Sequence, residues 1–166
     1  MTLCPVLCAV VAFTATAFAQ GGPTRPQGYL VGAGIYAITG PAAGLGMMGY
    51  SQPGQTTQGI HFRLWSRAFI VVDQETEKRV IMATTDMGIL PQGVSQAVLR
   101  KLAAKYGGLY HERNVLLSAT HTHSGPGGYS HYALYNLAMS GFSKQNFDVV
   151  VDGIFQSIVR AHANLS

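Results

Sequence analysis

Both cysteines of the chain, Cys4 and Cys8, fall within residues 1–19, so everything after them must fold without a disulfide. That first stretch carries no Lys, Arg, Asp or Glu, and LCPVLCAVVAFTATAF (Leu3–Phe18) is almost entirely apolar or small. It closes on Ala17-Phe18-Ala19, a small-x-small pattern, before Gln20. This is the pattern of a secretory signal peptide cleaved after Ala19, so residues 1–19 read as signal and 20–28 as a polar Gly/Pro linker. A membrane span needs about 20 apolar residues, and this stretch is shorter and holds Pro5. A secreted, cysteine-free fold must rest on a packed core, a metal or a larger body.

Composition permits a core. Hydrophobic residues make up 48% of the chain and charged residues only 11%, which excludes a disordered chain. The 20 glycines show no three-residue period, which excludes a collagen. The formal charge of +4 comes from 11 basic and 7 acidic side chains scattered along residues 20–166. Nucleic-acid binding needs a basic stripe with interleaved aromatics, and none is present. A mildly basic surface remains compatible with an anionic membrane surface.

The hydrophobic pattern predicts a strand over Tyr29–Ile38, then one long ordered loop over Thr39–Gly59 and a short strand over His61–Trp65. AFIVVD (Ala68–Asp73) and RVIMATT (Arg79–Thr85) read as a hairpin joined by the polar run Gln74–Lys78. Val94, Val98, Leu102 and Tyr106 recur in four-residue steps, which predicts a helix over Ser95–Tyr106 ended by Gly107-Gly108. VLLSA (Val115–Ala119) reads as a short buried strand, and Tyr132–Met139 and Phe147–Ala163 as helices. Strands alternating with helices define an α/β layered domain, with α+β as the other arrangement the order allows.

The chemistry concentrates where Val115–Ala119 runs into Thr120-His121-Thr122-His123-Ser124-Gly125-Pro126-Gly127-Gly128. Side chains two apart on a strand share a face, so His121 and His123 are expected to point together beyond the strand end. The glycines let backbone turn closely beneath a ligand. Neutral imidazole is the commonest metal ligand, and a catalytic zinc needs three protein ligands with one open position. The pair supplies one or two of these; it also fits two polar side chains satisfied at a strand end. Asp86 closes a strand in the same way, and reads as a further ligand, a carboxylate that fixes an imidazole, or a cap. His61, His111, His131 and His162 have no partner spacing and read as surface or structural. Gly32-Ala33-Gly34-Ile35-Tyr36-Ala37 matches a loose dinucleotide pattern, but Thr39-Gly40-Pro41 blocks the helix that pattern needs, so no nucleotide is expected. A G-x-S-x-G nucleophile elbow is absent.

GIYAITGPAAGLGMMGY (Gly34–Tyr50), GIHFRLWSRAFIV (Gly59–Val71), SATHTHSGPGGY (Ser118–Tyr129) and ALYNLAMSGFSKQNFDVVVDGIFQSIVRAH (Ala133–His162) resemble the neutral ceramidases, in register over essentially all of residues 29–166. That family consists of zinc-dependent amidases that cleave the N-acyl bond of ceramide to a sphingoid base and a fatty acid. The resemblance implies that His121 is a zinc ligand. It implies that His123 faces the reacting water or substrate in a catalytic or transition-state-stabilising role. Members are several hundred residues long, with a large catalytic domain and a C-terminal β-sandwich. Their remaining zinc ligands, a second His, a Glu and a Tyr, lie in later segments. Residues 29–166 therefore correspond to the N-terminal portion of that catalytic domain, read as a fragment, a truncation or a short isoform. With one Zn2+ ligand present, this chain alone is expected to be inactive. Two other readings stand beside it: a short, non-catalytic secreted product that binds lipid, membrane or metal, and an unrelated His-x-His metallohydrolase whose site Asp86 completes. The expected substrate is a sphingolipid, met in solution or at the outer membrane surface. The Thr39–Gly59 loop, with Met47, Met48 and Tyr50, is expected either to line its entrance or to pack on the core.

Overall fold

The structure, a computed structural model, describes residues 27–166. The signal-peptide reading of residues 1–19, with both cysteines, lies outside the described residues.

β1 (Tyr29–Ala37) is followed by two short strands, β2 (Ala43–Gly46) and β3 (Thr56–Gln58), and then by β4 (Trp65–Asp73) and β5 (Arg79–Thr85). α1 (Gln92–Tyr106) leads to β6 (Val115–Ala119), and α2 (Ala133–Asn136) and α3 (Lys144–Ala163) complete the order. The main sheet runs β1-β4-β5-β6. β1 and β5 flank β4 antiparallel, while β6 returns parallel to β5 after the α1 crossover. A mixed sheet with helices on one face makes this the α+β arrangement.

Alternation drives the sheet. In β4 the inward residues Ser66, Ala68, Ile70 and Val72 are buried, and in β5 Ile81, Ala83 and Thr85 are. The β4–β5 turn is tied by Asp73: its carboxylate accepts from Glu75 N at 2.9 Å and from Thr76 Oγ1 at 2.7 Å. Those bonds hold the Asp73 carboxyl below the usual carboxylate range.

α3 lies across β1 and β4, with α1 beside it. Gly32 and Gly34 make this possible. A Cβ at Gly32 would stand 2.0 Å from Ala161 O, and one at Gly34 2.1 Å from Ser157 O. The two glycines that loosen β1 as a strand are what let the helix backbone press onto it. Ile70 and Ile81 from the sheet meet Val94, Val98 and Leu102 of α1 and Ile154 and Ile158 of α3, all fully buried. Truncating one such aliphatic side chain to Ala costs about 2–5 kcal/mol.

The other face of the sheet is apolar and open. Val31, Ile35, Phe69, Val80, Met82 and Leu116 are exposed there. The register sets Ala33, Phe69, Met82 and Leu116 in one continuous cross-strand row. This corrects the expectation of a buried β6: among the described residues it is an edge strand of the main sheet, with Leu116 on the open face.

Four further expectations are corrected. The Thr39–Gly59 segment is not one loop but carries β2 and β3, paired antiparallel. His61–Leu64 is irregular, and β4 begins only at Trp65. α3 starts three residues early because Ser143 caps it, its Oγ accepting from Asn146 N at 3.2 Å. Over Tyr132–Met139 only Ala133–Asn136 is α-helical; a 3-10 turn (Leu137–Met139) follows, and left-handed Ser140 ends it.

Candidate active site

Because β5 and β6 are parallel, their C-terminal ends open at the same edge of the sheet, where ligands of such sheets commonly bind. The ladder runs slightly past both strands: Thr120 N donates to Thr85 O at 2.8 Å, and His121 N to Met87 O at 3.1 Å. His121 then turns left-handed, with φ 63°. Strand alternation therefore stops before the two histidines, and their meeting has a different cause from the one the spacing predicts. The chain reverses at His121 and carries His123 back over it. The His121 Nε2 and His123 Nε2 atoms end 3.1 Å apart, with ring centroids at 4.6 Å and planes at 81°.

Each ring is held from outside the pair. His121 Nδ1 lies 2.5 Å from Gly88 O. A carbonyl only accepts, so Nδ1 carries the proton and Nε2 presents its lone pair toward His123. The His123 ring meets Tyr50 edge-on, with centroids 4.2 Å apart at 87°. It lies over Gly49, where a Cβ would stand 2.4 Å from His123 Cγ. Gln55 Nε2 donates to His123 O at 3.3 Å.

The Gly-rich run is gripped from two sides. On one, Met48 N donates to Gly125 O at 3.2 Å and Gly127 N to Gly46 O at 2.8 Å. On the other, buried Asn146 of α3 donates its Nδ2 to Gly127 O at 2.7 Å and Pro126 O at 3.2 Å. Ser143 N donates to Gly128 O at 2.7 Å.

Asp86 sits at the same edge but serves β4. Its Oδ2 accepts from Trp65 N and its Oδ1 from Arg67 Nη1, both at 2.9 Å. The role of fixing the His121 imidazole belongs instead to Gly88 O. Among the described residues no group of three or more His, Cys, Asp or Glu side chains is placed to hold a metal ion. The donor chemistry of the paired imidazoles suits zinc, and the pair covers fewer than the three protein ligands of a catalytic zinc site.

The other histidines have local roles. His162 Nδ1 lies 2.6 Å from Tyr110 Oη, and its ring packs on Tyr106. His131 packs on Phe142 and Phe147, His61 on Phe62, and His111 Nδ1 accepts from Arg113 N in a turn.

Beside the site lies an apolar cavity of about 300 Å³, lined by Met47, Ile60, Phe62, Leu64, Ser124 and Pro126 among others. Of the residues expected at a lipid entrance, Met47 lines it, Tyr50 is exposed against His123, and Met48 is buried in the core. Ile60 and Phe62 are additions; the sequence marks them only as two apolar residues flanking His61, and their exposure is seen in the structure. Gly88, Gln55 and Asn146 act by backbone or amide contacts and leave no spacing pattern to find.

An α+β layer domain with two converging imidazoles at the ends of parallel strands, above a Gly-rich turn, defines the structural class. The family model described as neutral/alkaline non-lysosomal ceramidase, N-terminal, matches residues 29–166, and the chain belongs to this family. It is 53% identical over 137 residues to a neutral ceramidase of Pseudomonas aeruginosa, covering 82% of this chain and 20% of that protein. It is 54% identical over 137 residues to a neutral ceramidase of Oryza sativa subsp. japonica, covering 82% of this chain and 17% of the relative. The crystal structure of neutral ceramidase from Pseudomonas aeruginosa superposes with a TM-score of 0.83 at 51% identity, covering 85% of this chain and 22% of that one. A solved ceramidase complexed with C2 matches equally well. The chain thus spans about a fifth of the length of these relatives.

Proposed function

We propose that this chain forms part of a zinc-dependent amidase that hydrolyses ceramide to a sphingoid base and a free fatty acid. The observation that carries the reading is the pairing of His121 and His123 at 3.1 Å, with His121 fixed through Nδ1 by Gly88 O, inside the segment the family model matches. Zinc supplies a Lewis acid at such a site.

The chain's own residues divide the remaining work. His121 offers Nε2 as a metal ligand, its tautomer set by the Gly88 carbonyl. His123, half-buried and wedged between Gly49 and Tyr50, holds or moves a proton at the substrate amide through Nε2. The cavity between Met47, Ile60, Phe62 and Pro126 takes a length of alkyl chain, at about 0.8 kcal/mol for each methylene buried. Asp86 keeps β4 in place through Trp65 and Arg67. The remaining ligands come from elsewhere in a family-length enzyme, so residues 27–166 do not by themselves turn over ceramide. The same reading takes the protein as secreted, with residues 1–19 removed, and brings exposed Ile60, Phe62 and Tyr50 to lipid at the outer membrane surface.

A photoreactive ceramide tests the substrate assignment. The reading predicts crosslinks at Ile60–Phe62 or Met47, lost on competition with unlabelled ceramide. Labelling confined to other surfaces rejects it. Incubating the chain with zinc and labelled ceramide tests the second part: turnover that disappears in His121→Ala would contradict inactivity of the chain alone.

A further inference from the structure

We infer that Tyr129 is a positioning residue for His121, acting through the backbone of Gly88. The inference rests on the reading that His121 Nε2 is the working atom of the site.

Tyr129 closes the same Gly-rich run that carries the histidines, and it is 1% exposed. Its hydroxyl oxygen accepts from Gly88 N at 3.1 Å and from Ile89 N at 3.4 Å. Gly88 O, on the same short segment, takes His121 Nδ1 at 2.5 Å, and Met87 O takes His121 N at 3.1 Å. The contacts form a closed circuit. His121 leans on Gly88, Gly88 hangs from Tyr129, and Tyr129 returns along the chain through Gly128–Gly125 to His123. The segment has little room to find another arrangement, since a Cβ at Gly88 would stand 2.5 Å from Met48 Cγ.

The hydroxyl is therefore the hinge pin of the carbonyl that chooses the His121 tautomer. Removing it leaves two N–H groups without their acceptor, one of them on a buried residue, and the segment must turn to recover partners. Any turn of the Gly88 peptide moves the carbonyl oxygen off Nδ1. Once that bond loosens, the Gly88 carbonyl no longer selects the Nδ1–H tautomer or fixes the direction in which Nε2 points. Burial pushes the Tyr129 hydroxyl pKa up, which favours the neutral hydroxyl that Gly88 N and Ile89 N donate to. A purely structural tyrosine would stabilise the fold without selecting a tautomer.

The test is long-range proton–nitrogen NMR on the full chain labelled at histidine, comparing wild type with Tyr129→Phe. Wild type should show His121 protonated at Nδ1 only. In the folded Phe variant, His121 should show mixed protonation of its two nitrogens while His162, held separately by Tyr110, keeps its wild-type signals. A His121 that remains wholly Nδ1–H in the folded variant would overturn the inference, as would an equal change at His162. Should Tyr129→Phe fail to fold, 3-fluorotyrosine at position 129 keeps the shape and weakens the acceptor. The Gly88 amide and His121 Nδ1 signals should then shift together; a Gly88 shift without one at His121 would overturn the inference. None of these readouts requires zinc or turnover. A chain that fails as an amidase component can still show the tautomer effect, and an unchanged tautomer leaves the amidase reading standing.

Discussion

His121 Nε2 faces His123 Nε2 across 3.1 Å although the two residues do not share a strand. The contact exists because His121 adopts a left-handed backbone, φ 63°, which folds the next two residues back over it. A non-glycine residue in that region costs about 1–2 kcal/mol, and such strain persists where surrounding contacts over-determine it. Here those contacts are the Met87 and Gly88 carbonyls.

Backbone strain at His121 separates two variants that remove the same imidazole. His121→Ala keeps the strain and loses the side-chain bond; His121→Gly loses the bond and relieves the strain. His121→Gly should be the more stable by about 1 kcal/mol. Urea unfolding midpoints of the two variants check this.

Gly49 controls His123. At φ 137°, and with its Cβ position 2.4 Å from His123 Cγ, Gly49→Ala must displace the ring. The expected loss is about 1–3 kcal/mol, together with loss of the His121–His123 contact. Gly44→Ala is the control, since it also has a positive φ, 83°, but meets nothing within 4 Å. Thermal melts should place Gly49→Ala clearly below Gly44→Ala.

His162 makes stability pH-dependent. Burial, with Arg79 and Lys105 nearby, lowers its pKa below the ordinary 6.5. The unfolded chain therefore binds the proton more readily than the native one, and native stability rises with pH through that window. The contribution is complete above pH 6.5 and is lost as pH falls through the depressed native pKa. His162→Phe should flatten the dependence just below pH 6.5, measured as denaturant midpoint against pH.

The open sheet face predicts self-association of the chain. The row through Phe69, Met82 and Leu116 is apolar and exposed, and contiguous patches of this kind mark interaction surfaces or aggregation sites. Phe69→Lys with Met82→Glu should lower the association seen by sedimentation and leave the circular dichroism unchanged. An unaltered sedimentation profile would exclude this face as the cause.

The sequence carries the local half of this architecture. β5 and β6 occupy the residues the hydrophobic pattern assigns, because alternation and short apolar runs are local signals. β2 and β3, four and three residues long, have no such signal. They pair with each other, and the end of β2 is tied to the Gly-rich run, some eighty residues away, by the Gly127 N to Gly46 O bond and the Met47–Pro126 bridge. The histidine pair is visible in the spacing, although a left-handed residue rather than strand alternation brings the rings together. Asp86 shows what position alone leaves open. It ends a strand beside His121, yet its carboxylate is claimed by Trp65 and Arg67 on the strand behind it. The group that does orient His121 is a backbone carbonyl, which every residue possesses and no sequence pattern marks.

The most direct measurement replaces the matching segment of the Pseudomonas aeruginosa neutral ceramidase with Tyr29–Ser166 of this chain, and records zinc content and ceramide hydrolysis with and without His121→Ala. The chimera is expected to bind zinc and release fatty acid from ceramide, and the variant to lose both. A folded His121→Ala chimera that kept its zinc and its hydrolysis would contradict the role assigned to His121.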